Sequence, residues 1–275
     1  MQGKISASIV IYKNDPLLLD RAVASFLDST TDSTLYLIDN SPSDALRHRF
    51  AHPRVQYIFN NKNIGFGPGH NIALRKALQQ ENEFHLILNP DVYFDKGVVA
   101  KLLDYMRFNT QVGLIMPKVL YPDGRLQPLC KLLPSPVTLF SRRFLKFNSN
   151  LLNRMNHWYE MHFTGYNTVM DVPFLSGCFM FLRMETIRKV GLFDETIFLY
   201  TEDTDLTRRI HKHYRTIFYP EASIYHHNQR GSYKNFTILI HHVVSAIRYF
   251  NKWGWFSDRE RDHINQRILL KFSSE

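Results

Sequence analysis

Carboxylates standing where buried strands stop are the first residues in this chain with chemistry to offer. The apolar run 84–88 ends in Asn89, Pro90 and Asp91. A carboxylate in that turn could hold a divalent cation, because Mg²⁺ takes one or two protein carboxylates and fills its shell with substrate phosphates and water. All three are also turn residues, and for the tripeptide alone a plain strand-ending turn is the stronger explanation. Glu202, Asp203 and Asp205 form a second cluster, just ahead of a helical run. Asp203 could cap that helix, with Asp205 in its first turn, yet a cap does not need so many acids. A general base must lie within hydrogen-bond reach of the hydroxyl it deprotonates, and a helix start facing a cleft holds a carboxylate rigidly for that task. Base and cap weigh equally here. His226 and His227 follow the strand-like run 222–225 and precede Arg230, Gly231 and Ser232. An imidazole at a strand end could join a metal, although a lone histidine is more often a packed or surface residue. Arg230 and Lys234 could meet a diphosphate. The fourth candidate is the loop Gly65, Phe66, Gly67, Pro68 and Gly69. It lacks the Lys-Ser/Thr of a phosphate loop and follows the third strand, which argues against an NTPase and a Rossmann dehydrogenase. Its glycines are expected to let the backbone approach a donor ligand closely.

The elements that must position these residues alternate. Strands are predicted at 5–12, 34–38, 55–59, 84–88 and 112–117, and helices at 17–28, 70–80 and 98–109, with Asp15 capping the first helix and Pro16 in its first turn. Such strand-then-helix alternation predicts an α/β fold with a mostly parallel central sheet and helices on both faces. Ligands of such sheets bind outside the carboxyl ends of the strands, so 12–15, 39–41, 60–69 and 89–91 should converge on one cleft. The second half is less regular. Residues 131–170 are rich in aromatic and basic side chains, among them Arg142, Arg143, Phe144, Lys146, Phe147 and Trp158. A strand pair is predicted over 172–182 around Ser176, Gly177 and Cys178, short helices over 185–190 and 204–214, final strands at 216–219 and 222–225, and an amphipathic C-terminal helix over 234–252.

Composition narrows the classes. The chain has 275 residues, 44% of them hydrophobic, enough for one good-sized domain or two small ones. A formal net charge of +9 favours anionic partners, such as nucleic acid, a membrane surface or a phosphate-bearing substrate. The basic residues are scattered and no nucleic-acid module is present, so no nucleic acid is expected. Cys130 and Cys178 show no zinc spacing or disulfide framework, which suits a reducing compartment. Residues 1–4 lead straight into a strand, with no leader pattern, and no run of 18 apolar residues occurs. The expectation is a cytoplasmic protein that meets membrane only at its surface.

Taken in order, the motifs resemble the GT-A family 2 glycosyltransferases, particularly bacterial rhamnosyltransferases of O-antigen and capsule assembly. They run from Ile11, Tyr12, Lys13 and Asn14 through Ile38, Asp39, Asn40 and Ser41, then Asn61 to Gly67 with Asn71. Leu88 to Asp91, Phe174 to Met180, Gly191 to Glu195, Tyr200 to Leu206 with Arg209, and His226 to Ser232 complete the set, which covers about residues 5–235. The resemblance implies an inverting transfer of a sugar from a nucleotide-sugar donor. It implies donor contacts from Tyr12, Asn14, Asp39, Asn63, Gly65, Phe66, Gly67, Asn71, Asn89 and Arg230, with Asp39 at the base or ribose. Asp91 and His226 would hold a divalent cation, Mg²⁺ or Mn²⁺, with Asn89 standing where many relatives carry an acid. Asp203 would be the catalytic base, Glu202 and Ser176 would lie at the acceptor, and Gly177 would leave room for it. Residues 1–232 would form the catalytic domain, its nucleotide-sugar half about 1–120 and its acceptor half about 121–232, with 233–275 a C-terminal helix and tail.

The same resemblance points to dTDP-rhamnose as donor, with UDP-hexose or UDP-N-acetylhexosamine the alternative. The acceptor would be a glycan or an undecaprenyl-diphosphate-linked saccharide. Arg142, Arg143, Lys146, Lys234, Arg248 and Lys252 could meet lipid phosphates, with Trp253, Trp255 and Phe256 at the interface. Packing of the C-terminal helix on the domain, or on a second copy in a homodimer, is the simpler use of its apolar stripe. A nucleotide-sugar binding protein without transfer activity would lack the base, so Glu202 and Asp203 count against it. A nucleotidyltransferase would carry a basic, glycine-rich loop after the first strand, and Ile11 to Asn14 is not one.

Overall fold

The computed structural model describes residues 4–144, 149–228 and 236–273. Lys146, Phe147, Arg230, Gly231, Ser232 and Lys234 lie outside the described residues, as do the side chains of Arg143 and Phe144. In chain order the elements are β1 (Ile5–Ile11), α1 (Pro16–Ser29), β2 (Ser33–Asp39), β3 (Val55–Phe59), α2 (Phe66–Gln79), β4 (Phe84–Leu88), β5 (Val92–Phe94) and α3 (Val98–Phe108). There follow β6 (Val112–Leu120), β7 (Cys130–Lys131), α4 (Pro136–Phe144), α5 (Ser149–Tyr159), β8 (Met170–Asp171), β9 (Phe174–Leu175), β10 (Phe179–Arg183), α6 (Met184–Val190), α7 (Glu202–His211), β11 (Arg215–His226), α8 (Phe236–Trp253) and α9 (Arg259–Ser273).

The central sheet runs β3-β2-β1-β4-β10-β6-β11-β5, with β8 added against β11. From β3 to β4 every pairing is parallel, as the alternation predicts. Helices α1 and α3 touch each other on one side of the sheet, and α2, α6 and α7 touch in sequence on the other. The core follows the strand period. In β2, Leu35 and Leu37 join the large cluster, while Tyr36 and Ile38 pack with Ala73 of α2. Asp15 caps α1, its side chain accepting from Leu17 N at 2.8 Å with Pro16 in the first turn, as expected.

Four expectations need correcting. Residues 172–182 do not form a strand pair. β9 pairs with β7, whereas β10 enters the central sheet antiparallel between β4 and β6. The two short final strands are one strand, β11, whose register against β6 shifts between Tyr219 and Ser223. Pro220 lies in that shift, where a residue without an N–H can be tolerated in a sheet. Helix α2 starts at Phe66, so Gly67 and Gly69 lie inside its first turn and not in a loop. Past Trp253 the chain forms α9, where the pattern suggested only a tail. Among the described residues no helix is long and apolar enough to cross a membrane. Cys130 and Cys178 are both free and buried.

Candidate active site

Topology brings Asp91 and His226 together. After β4 the turn at Asn89 and Pro90 feeds β5, which pairs antiparallel with the end of β11, Val92 opposite His226. His227 N donates to Asp91 O at 3.1 Å, and Asp91 Oδ1 stands 3.4 Å from His226 Nε2. On the other side of the imidazole, Nδ1 lies 3.0 Å from Gln127 Oε1. Burial works against charge on Asp91, but His226 outweighs it and holds the carboxyl below its ordinary range. Burial also opposes charge on His226, and there Asp91 with the sulfur of Cys178 raises it to about 10.

These two groups fit a divalent cation. Ligands at right angles about 2.1 Å from Mg²⁺ stand roughly 3 Å apart, close to the observed separation. Among the described residues no group of three or more His, Cys, Asp or Glu could hold a metal. Remaining ligands would then come from phosphate and water, as Mg²⁺ commonly arranges. Asn89 and Asp91 open onto a cleft of about 190 Å³ that Asn14, Asp15, Leu18 and Pro90 also line. Thus two of the predicted donor residues, Asn14 and Asn89, share the cleft with Asp91.

A seam of hydrogen bonds ties this cleft to the second acidic cluster. Asn89 N donates to Cys178 O at 2.9 Å, and one residue back Gly177 N donates to Asp203 Oδ2 at 2.9 Å. Asp203 is not the N-cap of its helix. Thr201 holds that position, and Asp203 sits in the first turn with Oδ1 accepting from Thr204 N at 2.8 Å. The carboxylate therefore satisfies helix N–H groups and faces the seam at once. Glu202 is buried beside it, and its Oε2 has no hydrogen-bond partner among the described residues. Burial pushes the Glu202 carboxyl well up, and the Asp203 charge adds to the push. Burial raises Asp203 as well, opposed by Gly177 N–H, the Lys131 ammonium and Thr204. Asp203 has the donors and Glu202 lacks them among the described residues, so burial opposes the charged form of Glu202 the more strongly. The raised basicity of Asp203 suits a general base.

Several predicted residues are placed differently from their expected roles. Asn71 is fully buried and its amide is spent inside the protein. Nδ2 donates to Phe193 O and Glu195 Oε1 at 3.0 and 2.9 Å, and Oδ1 accepts from Phe193 N at 3.0 Å. It clasps the 193–195 turn to α2 and does not face a donor. The glycines permit close approach to protein, not to ligand. A Cβ on Gly65 would meet Phe198 O at 2.4 Å, one on Gly67 would meet Phe193 Cβ at 2.9 Å, and one on Gly69 would meet Val10 Cγ2 at 2.8 Å. Gly177 offers no open space either, since its Cβ position is covered by Asp203 Cβ at 3.2 Å and the Phe66 ring at 3.3 Å. Asp39 reaches the expected strand end but is 1% exposed, accepting from Ser41 N at 2.8 Å and from the Tyr57 hydroxyl. Asn63 Oδ1 accepts from Gly65 N at 3.2 Å and shapes the approach to α2. Ser176 Oγ accepts from Cys178 N at 3.4 Å on the seam. Tyr12 is exposed at the end of β1, its N–H donating to Asn14 Oδ1 at 2.8 Å. Arg230 lies outside the described residues. The cations expected at lipid phosphates are engaged at home: Arg142 with Glu160, Lys252 with Asp194 and Asp205, and Arg248 with Thr196 O.

Sequence reasoning missed Gln127, Tyr57 and Lys131. Tyr57 of β3 pairs with Leu37 of β2, two residues before Asp39, and its hydroxyl reaches along the sheet to the Asp39 carboxylate. Lys131 in β7 lies opposite Phe174, with Nζ 5.1 Å from that ring centroid, and makes no ion pair among the described residues. Only the reversal at Pro122, Asp123 and Gly124 hints that residues just after it return beside β6 and β11.

The family model described as Glycosyl transferase family 2 matches residues 8–191. The N-acetylglucosaminyl-diphospho-decaprenol L-rhamnosyltransferase of Mycobacterium tuberculosis is 26% identical over 274 residues, 92% of this chain and 87% of the relative. Rhamnosyltransferase WbbL of Escherichia coli is 25% identical over 210 residues, 73% of this chain and 75% of the relative. Among solved structures, GalNAc-T7 with UDP, GalNAc and Mn²⁺ superposes with a TM-score of 0.62 at 14% identity, covering 82% of this chain but only 43% of its own. The mannosyltransferase PcManGT from Pyrobaculum calidifontis, in complex with GDP-Man and Mn²⁺, gives a TM-score of 0.60 at 15% identity, over 90% of this chain and 65% of its own. At such identities the likeness is one of fold, the GT-A glycosyltransferase fold.

Proposed function

The chain belongs to glycosyl transferase family 2, and from that premise we propose that it transfers rhamnose from dTDP-rhamnose, with inversion, to a lipid-linked glycan. The observation that carries this reading is the seam from Asp91 and His226 through Asn89, Cys178 and Gly177 to Asp203. It links the proposed cation pair to the proposed base through one hydrogen-bonded stretch of chain. Two rhamnosyltransferases among the relatives support the choice of sugar. UDP-hexose and UDP-N-acetylhexosamine remain the alternative donors.

In this mechanism Asn14 and Asn89 bind the nucleotide sugar in the half formed by about residues 1–120, Tyr12 flanks it, and buried Asp39 holds Ser41 and Tyr57 at its edge. Asp91 and His226 would hold a divalent cation, Mg²⁺ or Mn²⁺, which when bound would supply positive charge at the diphosphate leaving group. Asp203 takes the proton from an acceptor hydroxyl as that oxygen attacks the anomeric carbon from the face opposite the diphosphate. The bond to the phosphate oxygen breaks, dTDP leaves with the electron pair, and the anomeric centre inverts in one displacement. Protonated Glu202 offers a hydrogen-bond donor on the acceptor side.

The acceptor is a saccharide on a polyprenyl diphosphate. Lys131, whose ammonium acts on Asp203, is a cation suited to its phosphate. An apolar groove between α4 and α8, about 440 Å³ and lined by Val137, Phe140, Val243, Ile247, Phe250 and Phe256 among others, suits its hydrocarbon. Phe256 is 81% exposed and Phe140 62%. Such a substrate places the enzyme peripherally on the cytoplasmic membrane face.

Asp203→Asn separates binding from chemistry. Its expected outcome is retained dTDP-rhamnose affinity with transfer reduced roughly 10²–10⁴-fold. Full activity in that variant overturns the assignment of the base. Thermal shift across a panel of nucleotide sugars checks the donor, and stabilisation by UDP-sugars but not by dTDP-rhamnose overturns rhamnose.

A further inference from the structure

Gln127 stands outside every motif that suggested a function, yet it is 2% exposed and spends its side-chain amide on His226. The chain reaches it through a tight reversal. Tyr121 N donates to Arg125 O at 2.7 Å, Gly124 takes a positive φ of 84°, and Gln127 N returns to Val119 O at 2.9 Å. This pins Gln127 beside β6 and so beside β11.

The direction of its amide is fixed by what surrounds it. One end meets two backbone carbonyls, that of His226 and, at 3.4 Å, that of Leu120. Carbonyls only accept, so this end is the NH₂. The other end is then the oxygen, and it faces His226 Nδ1 at 3.0 Å. An amide oxygen only accepts, so Nδ1 carries a hydrogen. That leaves Nε2 as the ring nitrogen turned to Asp91 Oδ1 3.4 Å away. Without a cation a proton on Nε2 bridges that gap, and a divalent cation would take the place of that proton between the same two atoms.

We propose that Gln127 is a positioning residue that locks His226 in the Nδ1–H form and so presents Nε2, together with Asp91, to a divalent cation. Partners of this kind behind a metal-binding histidine typically contribute 10–100-fold in metal affinity. Gln127 touches neither cation nor substrate and acts only through His226. The inference rests on the proposed cation role of Asp91 and His226.

The test is titration of the full chain with Mn²⁺ alone, read by the EPR signal of free Mn²⁺, for wild type, Asp91→Asn, His226→Ala, Gln127→Leu and Gln127→Glu. Gln127→Leu should weaken Mn²⁺ binding about 10–100-fold, with the circular dichroism spectrum and metal-free nucleotide affinity unchanged. Gln127→Glu keeps an oxygen against Nδ1 but turns its second oxygen on the His226 and Leu120 carbonyls, so it should bind Mn²⁺ more tightly than Gln127→Leu while losing thermal stability. A merely structural glutamine would lower thermal stability in both variants and leave Mn²⁺ affinity alone. Wild-type affinity in Gln127→Leu, beside a loss in His226→Ala, overturns the inference and leaves the cation site standing. Unchanged affinity in His226→Ala also overturns it, and Mn²⁺ binding that ignores Asp91→Asn and His226→Ala alike overturns the cation site itself.

Discussion

Asn71 is the side chain whose expected and actual work differ most. It was expected at the donor, and it instead satisfies both backbone groups of Phe193 while also reaching Glu195. Asn71→Ala should destabilise the fold by roughly 2–4 kcal/mol, because buried N–H and C=O groups lose their partner. Urea unfolding measures this, and a loss under 0.5 kcal/mol would sink the clasp. Among single residues, Asp91, His226 and Asp203 stood out only as members of an ordered set, because a turn, a cap or plain packing accounts for each of them alone. Asn71 misled because an amide inside a helix looks the same whether it faces a ligand or a backbone turn. Gln127 was invisible for the opposite reason, since its partner is 99 positions away.

Among the elements, α7 carries Asp203, the proposed base, and is itself held by α8 and α9. Arg208 of α7 forks onto Asp258 at 2.7 Å through both Nη atoms and lies over the Trp253 ring at 4.1 Å. Trp253 Nε1 and Lys252 in turn reach Asp205 at 2.8 Å. The Arg208 side chain is 1% exposed and that of Asp258 4%. Arg208→Met strands a buried carboxylate and should cost about 3–5 kcal/mol, whereas Arg208→Met with Asp258→Leu should recover most of it. Urea denaturation of the pair distinguishes this from a surface contact, for which the second change would add to the damage. Strand and helix positions were readable where hydrophobic period and breakers agreed, as at β3 and β4. The course of 172–183 was not, because apolar runs of that length look alike whether they form a hairpin or enter a distant sheet. α9 escaped notice because its stripe is interrupted by charges that serve α7.

Taken whole, the molecule carries a buried polar chain through its centre. Asn82, Ser6, His85, Ser8 and His70 are linked by hydrogen bonds of 2.6–2.8 Å between β1, β4 and α2. Burial lowers His85 to about 3, and burial with the neighbouring His85 lowers His70 well below its usual value. Both rings are neutral in the fold and bind a proton on unfolding once the pH is below about 6.5. Their contribution is intact above that pH and is lost as the pH falls toward the folded-state values, by about 1.4 kcal/mol per unit for each ring. Urea midpoints between about pH 6.5 and pH 5 should therefore decline, and His85→Gln should shallow the slope by about 1.4 kcal/mol per unit. An unchanged slope removes His85 from the account.

The insertion of β10 between β4 and β6 has a consequence in time. β4 is five buried residues with β1 on one edge, and its other edge belongs to β10, which follows some ninety residues later in the chain. At ribosomal rates of about 5–20 residues per second, that edge stands open for roughly 5–20 s in every molecule made. An apolar strand edge is a template for pairing with other chains. The arrangement that joins Asn89 to Cys178 in the finished enzyme thus makes its own synthesis the most aggregation-prone interval of its life.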